Sequence, residues 1–500
     1  MDAIVETPLG RVRGSEDAGV LRCLGIPYAA PPVGALRFAP PAPATPWRGV
    51  RDAVAFGPAP LQPVDGLSQR LGLLGDHAQN EDCLTLNVFA PAAPARTLRP
   101  VLVWIHGGAF QTGTAAGPVY DGARLARRGD VVVVTLNYRV GALGFLHTGL
   151  AGTANLGLQD QLAALRFVRD AIAGFGGDPH LVTVFGESAG AGSIACLLAM
   201  PAARGLFGRA IVQSAAPENV LSADDGSERA RILLEKLGGT ASDPDGLRSL
   251  PGERILAAQA ACAEPGPRRI GMFFAPVVDG EVLPEAPLTA IASGAARHVE
   301  LIIGTTADEM RLFTLVPGLG EIPEAALPHL VASRLPGPAE TALARAERLL
   351  ALYPEAKTGA DRFFAVETDA SLFVPATRLA EAQARHQPRT FMYRFNWRSP
   401  LAEGSLGACH ALDVPFALGT FELPAVRDFA GSGPGAARVA AAMMDAWLAF
   451  ARSGDPSHPG IPRWPRYAPP ERRTLELADP CRVLEAPDEA RRRAFSEGAA

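Results

Sequence analysis

Five stretches of the chain carry apolar side chains at nearly every position: VLVWI (101–105), VVVVTLNY (131–138), LVTVF (181–185), ELIIG (300–304) and TFMYRF (390–395). A strand with one face in water alternates apolar and polar residues. Runs without alternation therefore predict strands covered on both faces, as in a parallel sheet. Between them the period changes. GLQDQLAALRFVRDAIAGFG (157–176) spaces Leu158, Leu162, Leu165, Val168 and Ile172 three or four residues apart, which puts them on one stripe of a helix. Strands alternating with such helices predict an α/β architecture, a doubly wound and mostly parallel central sheet with helices on both faces.

Two proline-rich stretches, 28–47 and 456–470, interleave Tyr, Phe and Trp with the prolines. They predict ordered coil packed on the body of the protein rather than regular elements. Residues 201–300 and 315–390 are richer in Ala, Glu and Arg and read mostly as helices inserted into the α/β pattern. No repeat and no long linker divides the chain, so residues 1–500 are read as one catalytic unit.

Composition narrows the partners. With 48% hydrophobic and 20% charged residues among 500, the chain can bury an ample core. A formal charge of −5 and a pI near 6.0 give neither nucleic acid nor an anionic membrane surface anything to hold. Nearly all positive charge is arginine, since Lys236 and Lys357 are the sole lysines. No charged-then-apolar leader opens the sequence and no run of about 18 apolar residues occurs, so the expectation is a cytoplasmic protein without a membrane span. The six cysteines (Cys23, Cys83, Cys196, Cys262, Cys409, Cys481) lack metal-site spacing. Neither a metal nor a cofactor is expected. The expected partner is a small-molecule substrate, with the chain a monomer or small homo-oligomer.

The chemistry concentrates where apolar runs end. LVTVF runs into Gly186-Glu187-Ser188-Ala189-Gly190 and then a helix-compatible stretch of small residues. Such a strand–turn–helix elbow exposes the central serine and aims a helix N-terminus at it. WIHGGAF (104–110) closes another run, and its glycines can bring backbone N–H groups against an oxyanion. A serine needs a base, and the base an orienting acid. Of nine histidines, His410 in LGACHALDVPF is best placed, just beyond the TFMYRF run, while His106 reads as support for the glycine loop. GTTADEMRLF ends a strand with Asp308 and Glu309 side by side, and spacing alone does not choose between them.

Many segments together resemble the type-B carboxylesterase family, the group of cholinesterases and bacterial para-nitrobenzyl esterases: GIPYAAPPVGALRF (25–38), NEDCLTLNVFAP (80–91), WIHGGAF, NYRVGALGFL (137–146), FGGDP (175–179), FGESAGAGS, QSAAP (213–217), APVVDG (275–280), GTTADE and GACHALDVPFALG. The resemblance spans nearly the whole chain. It implies an α/β-hydrolase fold, with Ser188 as nucleophile, Glu309 as acid and His410 as base. It places oxyanion donors at Gly108, Ala109 and Ala189, a supporting serine at Ser214, a carboxylate beside the nucleophile at Glu187, and a structural ion pair between Arg37 and Glu81. Departures are visible. Ala109 stands where many relatives have a third glycine, and Met310 replaces the glycine after the acid. Pro60 lies where extracellular relatives carry the disulfide partner of Cys83, so Cys83 is expected to be a buried thiol. Residues 57–83 hold no Phe, Tyr or Trp, which removes the cation–π seat of choline esters. Phe110, Leu312 and Phe313 are the expected apolar pocket.

The expected function is hydrolysis of small to medium apolar carboxylic esters through an acyl-enzyme. The alternatives are an amide, carbamate or lactone hydrolase on the same site, or a noncatalytic esterase-like binding protein.

Overall fold

The computed structural model describes residues 2–63, 66–94, 96–150, 152–238, 244–262, 272–316, 322–335 and 338–496. Its strands are β1 (Asp2–Thr7), β2 (Gly10–Asp17), β3 (Val20–Pro27), β4 (Val50–Asp52), β5 (Thr85–Pro91), β6 (Arg99–Ile105), β7 (Val132–Leu136), β8 (Gly177–Glu187), β9 (Arg209–Gln213), β10 (Leu221–Ser222), β11 (Val277–Val278), β12 (Glu300–Thr306), β13 (Thr390–Phe395), β14 (Thr474–Leu477) and β15 (Arg482–Leu484). One sheet runs in the order β1-β2-β3-β5-β7-β6-β8-β9-β12-β13-β14-β15, with β4 beside β2; β10 and β11 pair separately. From β7 to β14 every neighbouring pair is parallel.

The unbroken apolar runs have a simple cause. Val101, Val103, Ile105, Val132, Val134, Val182 and Val184 face one core, which holds Leu158, Leu162, Leu165, Val168 and Ile172 of the predicted helical stripe. Their chain neighbours Leu102, Trp104, Val133 and Phe185 face the other, under Val439, Met443, Trp447 and Phe450 of the helix Pro434–Ser453. Alternate side chains of one strand thus enter two dry cores.

Two features depart from the sequence reading. The outer strands β1, β2, β3 and β5 are antiparallel to one another. β2 is half wet, so an unbroken-run criterion passes over it. Residues 201–300 hold β9, whose Ala210, Ile211 and Val212 form a buried core strand between polar ends. The rest of that region and 315–390 are mostly helical where described, including Ala223–Lys236, Ala339–Leu350, Gly359–Thr368 and Val374–Ala384, with coil at 272–276 and 279–286 and a short β-pair between β10 and β11. The expectation for 239–243, 263–271, 317–321 and 336–337 lies outside the described residues. The helical insert has its own core of Met310, Leu327, Val331, Leu349, Tyr353, Phe363 and Phe364.

The proline-rich stretch after β3 is fixed by buried aromatics; Tyr28 donates its hydroxyl proton to the Asn137 carbonyl at 2.6 Å. Arg37 grips Glu81 at 2.6 Å and also reaches the Arg248 carbonyl. Deeper still, Arg139 and Asp160 form a forked pair at 2.7 and 2.8 Å with almost no exposure. Cys83 is a buried free thiol. Among the described residues, no helix is long and apolar enough to cross a membrane.

The Arg139–Asp160 pair generates a test of the fold. Asp160→Asn strands a buried guanidinium, and removing one partner of such a pair costs about 3–5 kcal/mol. The urea midpoint of Asp160→Asn should fall well below that of Arg128→Gln, which breaks only a solvent-exposed pair with Asp445.

Candidate active site

β8 ends at Glu187, and the helix Ala189–Ala199 begins one residue later. Ser188 is the hinge, at φ 55° and ψ −123°, a conformation that strains an L-residue by about 1–3 kcal/mol. The flanking glycines let strand and helix close. A Cβ on Gly186 would lie 2.6 Å from the Ile105 carbonyl oxygen, and one on Gly190 would collide with the same atom. The strain is held from below, because the Ser188 N–H donates to the Gln213 carbonyl at 2.9 Å and the Ser188 carbonyl accepts from Gly192 at 2.8 Å. Ser188 remains partly exposed.

The glycine loop after β6 arches over this hinge. A Cβ on Gly107 would be 3.1 Å from the Ser188 Cβ. Gly108, Ala109 and Phe110 all have positive φ, and the Gly108 carbonyl is turned back to accept from Gln111 and Thr112, both at 2.9 Å. Among the described residues, the N–H groups of Gly108, Ala109 and Ala189 have no acceptor within the chain. His106 is buried beneath the loop, stacked on Tyr138 at 4.3 Å, and its Nδ1 donates to the Gly107 carbonyl at 2.9 Å. Burial lowers its pKa to about 4, so it sits there neutral.

Glu309 and Asp308, equal in the sequence, part company in space. Glu309 is fully buried; its Oε2 takes the His410 Nδ1 proton at 2.6 Å, and its Oε1 accepts from the Ser214 hydroxyl at 2.6 Å and the Thr306 N–H at 2.8 Å. Asp308 turns the other way and accepts the Ala408 N–H at 2.9 Å. The other imidazole nitrogen, His410 Nε2, lies 3.1 Å from Glu187 Oε1. No hydrogen bond from the Ser188 hydroxyl to His410 is formed among the described residues.

Three buried carboxylates surround this one imidazole. Burial alone would push His410 toward its neutral form, but the charges of Glu187 and Glu309 outweigh burial and hold it at about 9. Burial raises Glu187 to about 8, against the opposing pull of His410. Asp413, three residues past His410, is raised to about 6 by burial; its Oδ2 accepts from Tyr393 at 2.7 Å and Gln213 at 3.0 Å. Gln213 in turn accepts from the Trp447 indole at 3.2 Å. Gln213, Tyr393, Asp413 and Trp447 form a polar floor absent from the sequence reading. The available signal was a polar residue closing the apolar strand RAIVQ, with an aspartate closing HALD.

The expected pocket residues divide. Phe313 is partly exposed, its ring 6.1 Å from the His410 ring. Leu312 is buried in the second core. Phe110, expected in the pocket, is buried more deeply than either. It is 1% exposed, packed edge-on against Phe145 at 5.0 Å and over Gly192, so it braces the glycine loop from the core side instead of facing an open cavity.

Known proteins share this framework. The model of the carboxylesterase family matches residues 1–495. The para-nitrobenzyl esterase of Bacillus subtilis (strain 168) is 41% identical over 498 residues, 98% of this chain and 97% of that one. The phenmedipham hydrolase of Pseudarthrobacter oxydans is 36% identical over 489 residues, 95% of each chain. Among solved structures, a PNB esterase superposes with a TM-score of 0.88 at 39% identity over 99% of both chains. The Geobacillus stearothermophilus carboxylesterase does so at 0.87 and 38%, over 98% of this chain and 99% of that one. Matched along almost its entire length, the chain belongs to the carboxylesterase family and has the α/β-hydrolase fold of its solved members.

Proposed function

We propose that Ser188, His410 and Glu309 perform the family's carboxylic ester hydrolysis on small to medium apolar esters. The carrying observation is the buried Glu309–His410 hydrogen bond beside a strained serine hinge. Ser188 Oγ attacks the ester carbonyl while His410 Nε2 takes its proton. The oxyanion accepts from the N–H groups of Gly108, Ala109 and Ala189, each such donor being worth about 10²–10³ in rate. Collapse expels the alcohol, protonated by His410, and leaves an acyl-Ser188. Water, deprotonated by His410, then frees the acid. Glu309 fixes the tautomer that leaves Nε2 free to accept and balances the imidazolium that forms.

In the resting enzyme Nε2 faces Glu187, so the imidazole must exchange that carboxylate for the serine hydroxyl; catalytic hydrogen bonds often tighten only once substrate is bound. Phe313 supplies an apolar wall next to the base. Side chains and water suffice for every step. A reducing compartment, the cytoplasm, suits the free cysteines.

Ser188→Ala should lower kcat by about 10⁴–10⁶ with an unchanged circular dichroism spectrum. Glu309→Gln should cost on the order of 10³–10⁴, and Asp308→Asn no more than about tenfold. The reverse ranking would transfer the acid role to Asp308.

The pH profile follows from the same charges. His410 works as the neutral base, so kcat/KM should rise with pH, its acid limb lying above the ordinary imidazole value of about 6.5. Glu187 favours the charged imidazole; Glu187→Gln removes that pull and should move the limb down by about one pH unit or more. A limb that stays put or moves up would show that Glu187 does not act on the base. Across para-nitrophenyl esters from acetate to laurate, matched against amide and carbamate analogues, the esters should give the higher kcat/KM. Preference for the amides would reassign the substrate.

A further inference from the structure

The turn that carries Glu309 commits each of its residues to a different neighbour. Asp308 holds the chain leading to His410, accepting the Ala408 N–H at 2.9 Å and donating its own N–H to the Ala408 carbonyl at 2.8 Å. Glu309 holds the imidazole. Met310 is buried in the core of the helical insert, and its N–H donates to Thr368 Oγ1 at 3.1 Å, at the end of the helix Gly359–Thr368.

Arg311 joins the acid turn to the chain before His410 and to the helical insert. Its Nη1 donates to the Ser405 carbonyl at 3.0 Å, its Nε lies 3.4 Å from Asp308, and its Nη2 lies 3.3 Å from Asp361. Asp361 is itself fixed, because it caps the first turn of Gly359–Thr368 with Thr358: the Asp361 N–H donates to Thr358 Oγ1 at 3.0 Å, and the threonine hydroxyl returns to the carboxylate at 2.9 Å.

The stretch these contacts hold is strained in spite of its own turn hydrogen bonds, from Ser405 to the Ala402 carbonyl at 3.1 Å and from Gly407 to the Gly404 carbonyl at 3.2 Å. Between residues 402 and 411, Ala402, Glu403, Gly404, Gly407 and Ala411 all have positive φ, a conformation that persists only where the surroundings over-determine it. At Gly407 a Cβ would collide with the Asp308 carboxylate, so that chain can approach the acid turn only without a side chain there. A planar guanidinium with donors on three edges suits a carbonyl and two carboxylates lying in different directions, and a lysine ammonium reproduces that geometry only in part.

We propose that Arg311 is a positioning residue: through Ser405, Asp308 and Asp361 it locks the histidine loop, the acid turn and the helical insert into one register, and thereby sets the Glu309–His410 contact. This rests on the assignment of His410 and Glu309 as base and acid. It also ties the insert to the chemistry, since displacement of the helix Gly359–Thr368 would reach the triad through Asp361 and Arg311.

The test compares Arg311→Met, Arg311→Lys and Asp361→Asn with the parent enzyme, using para-nitrophenyl butyrate. Rates are normalised to sites titrated by a fluorescent alkylphosphonate, so that unfolded protein does not count. Arg311→Met should lower kcat about tenfold with KM within about twofold; Arg311→Lys should recover part of the loss; Asp361→Asn, at a solvent-reached partner, should lower kcat severalfold in the same direction. The proposal is overturned if normalised kcat in Arg311→Met stays within twofold of the parent, if the loss falls on KM, or if the lysine variant rescues nothing. Glu309→Gln is measured alongside. If it too retains activity, the acid assignment fails first; if it is inactive while Arg311→Met is unaffected, the positioning role alone fails.

Discussion

Everything at this site depends on one buried carboxylate, that of Glu309, finding all its hydrogen-bond partners inside the protein where no water reaches it. Glu309 has no exposure, and a carboxylate buried without hydrogen-bond partners would be strongly destabilising. It escapes that outcome because its lone pairs are occupied: the Ser214 hydroxyl and Thr306 N–H on Oε1, the His410 Nδ1 proton on Oε2. Charge-assisted hydrogen bonds of this kind are about twice as strong as neutral ones. Two of the three donors come from the ends of adjacent parallel strands. Thr306 closes β12 and Ser214 follows β9, which are paired in register from Glu300↔Arg209 to Gly304↔Gln213. A one-residue slip would turn the donors away, so the two dry cores that pin the register are a precondition of the chemistry.

The same register holds the strained serine. Glu187 lies opposite Gln213, and the Gln213 carbonyl takes the Ser188 N–H while its side chain joins Asp413, Tyr393 and Trp447. Strain at Ser188 and in the glycine loop is tolerable because neither segment is free to relax: the Ile105 carbonyl fills the space at Gly190, and Phe110 and Phe145 fill the space under the loop. A partly exposed, strained serine therefore sits on a closely packed foundation.

How much of this could be read from sequence follows from which physical effects leave a local trace. Burial on both faces of a strand writes itself into every residue, so β6, β7, β8, β12 and β13 were legible as apolar runs. β2 was not, since one of its faces is wet, and neither was β9, whose short core lies between Arg209 and Gln213. The serine elbow was legible because steric closure demands small residues at fixed offsets. The choice between Asp308 and Glu309 was not, because neighbours in a tight turn differ only in direction. The resemblance to family members implied Glu309, and in the structure Glu309 contacts the His410 imidazole while Asp308 contacts the Ala408 N–H. The floor of Gln213, Tyr393, Asp413 and Trp447 spans some 230 residues of sequence between its ends and was beyond any local pattern.

Phe110 shows the limit from the opposite side. Its position after the glycine loop suggested a surface for substrate, because a large apolar residue beside a reactive turn reads the same whether it faces a cavity or a core. Ala109 and Phe110 both have positive φ, the Phe110 ring packs inward against Phe145, and the N–H groups of Gly108 and Ala109 have no acceptor among the described residues. These unpaired amides and the buried phenylalanine thus share one strained turn. Amide direction and core packing at this loop depend on one run of dihedral angles, and a change that loosened the ring would be expected to disturb the amides with it.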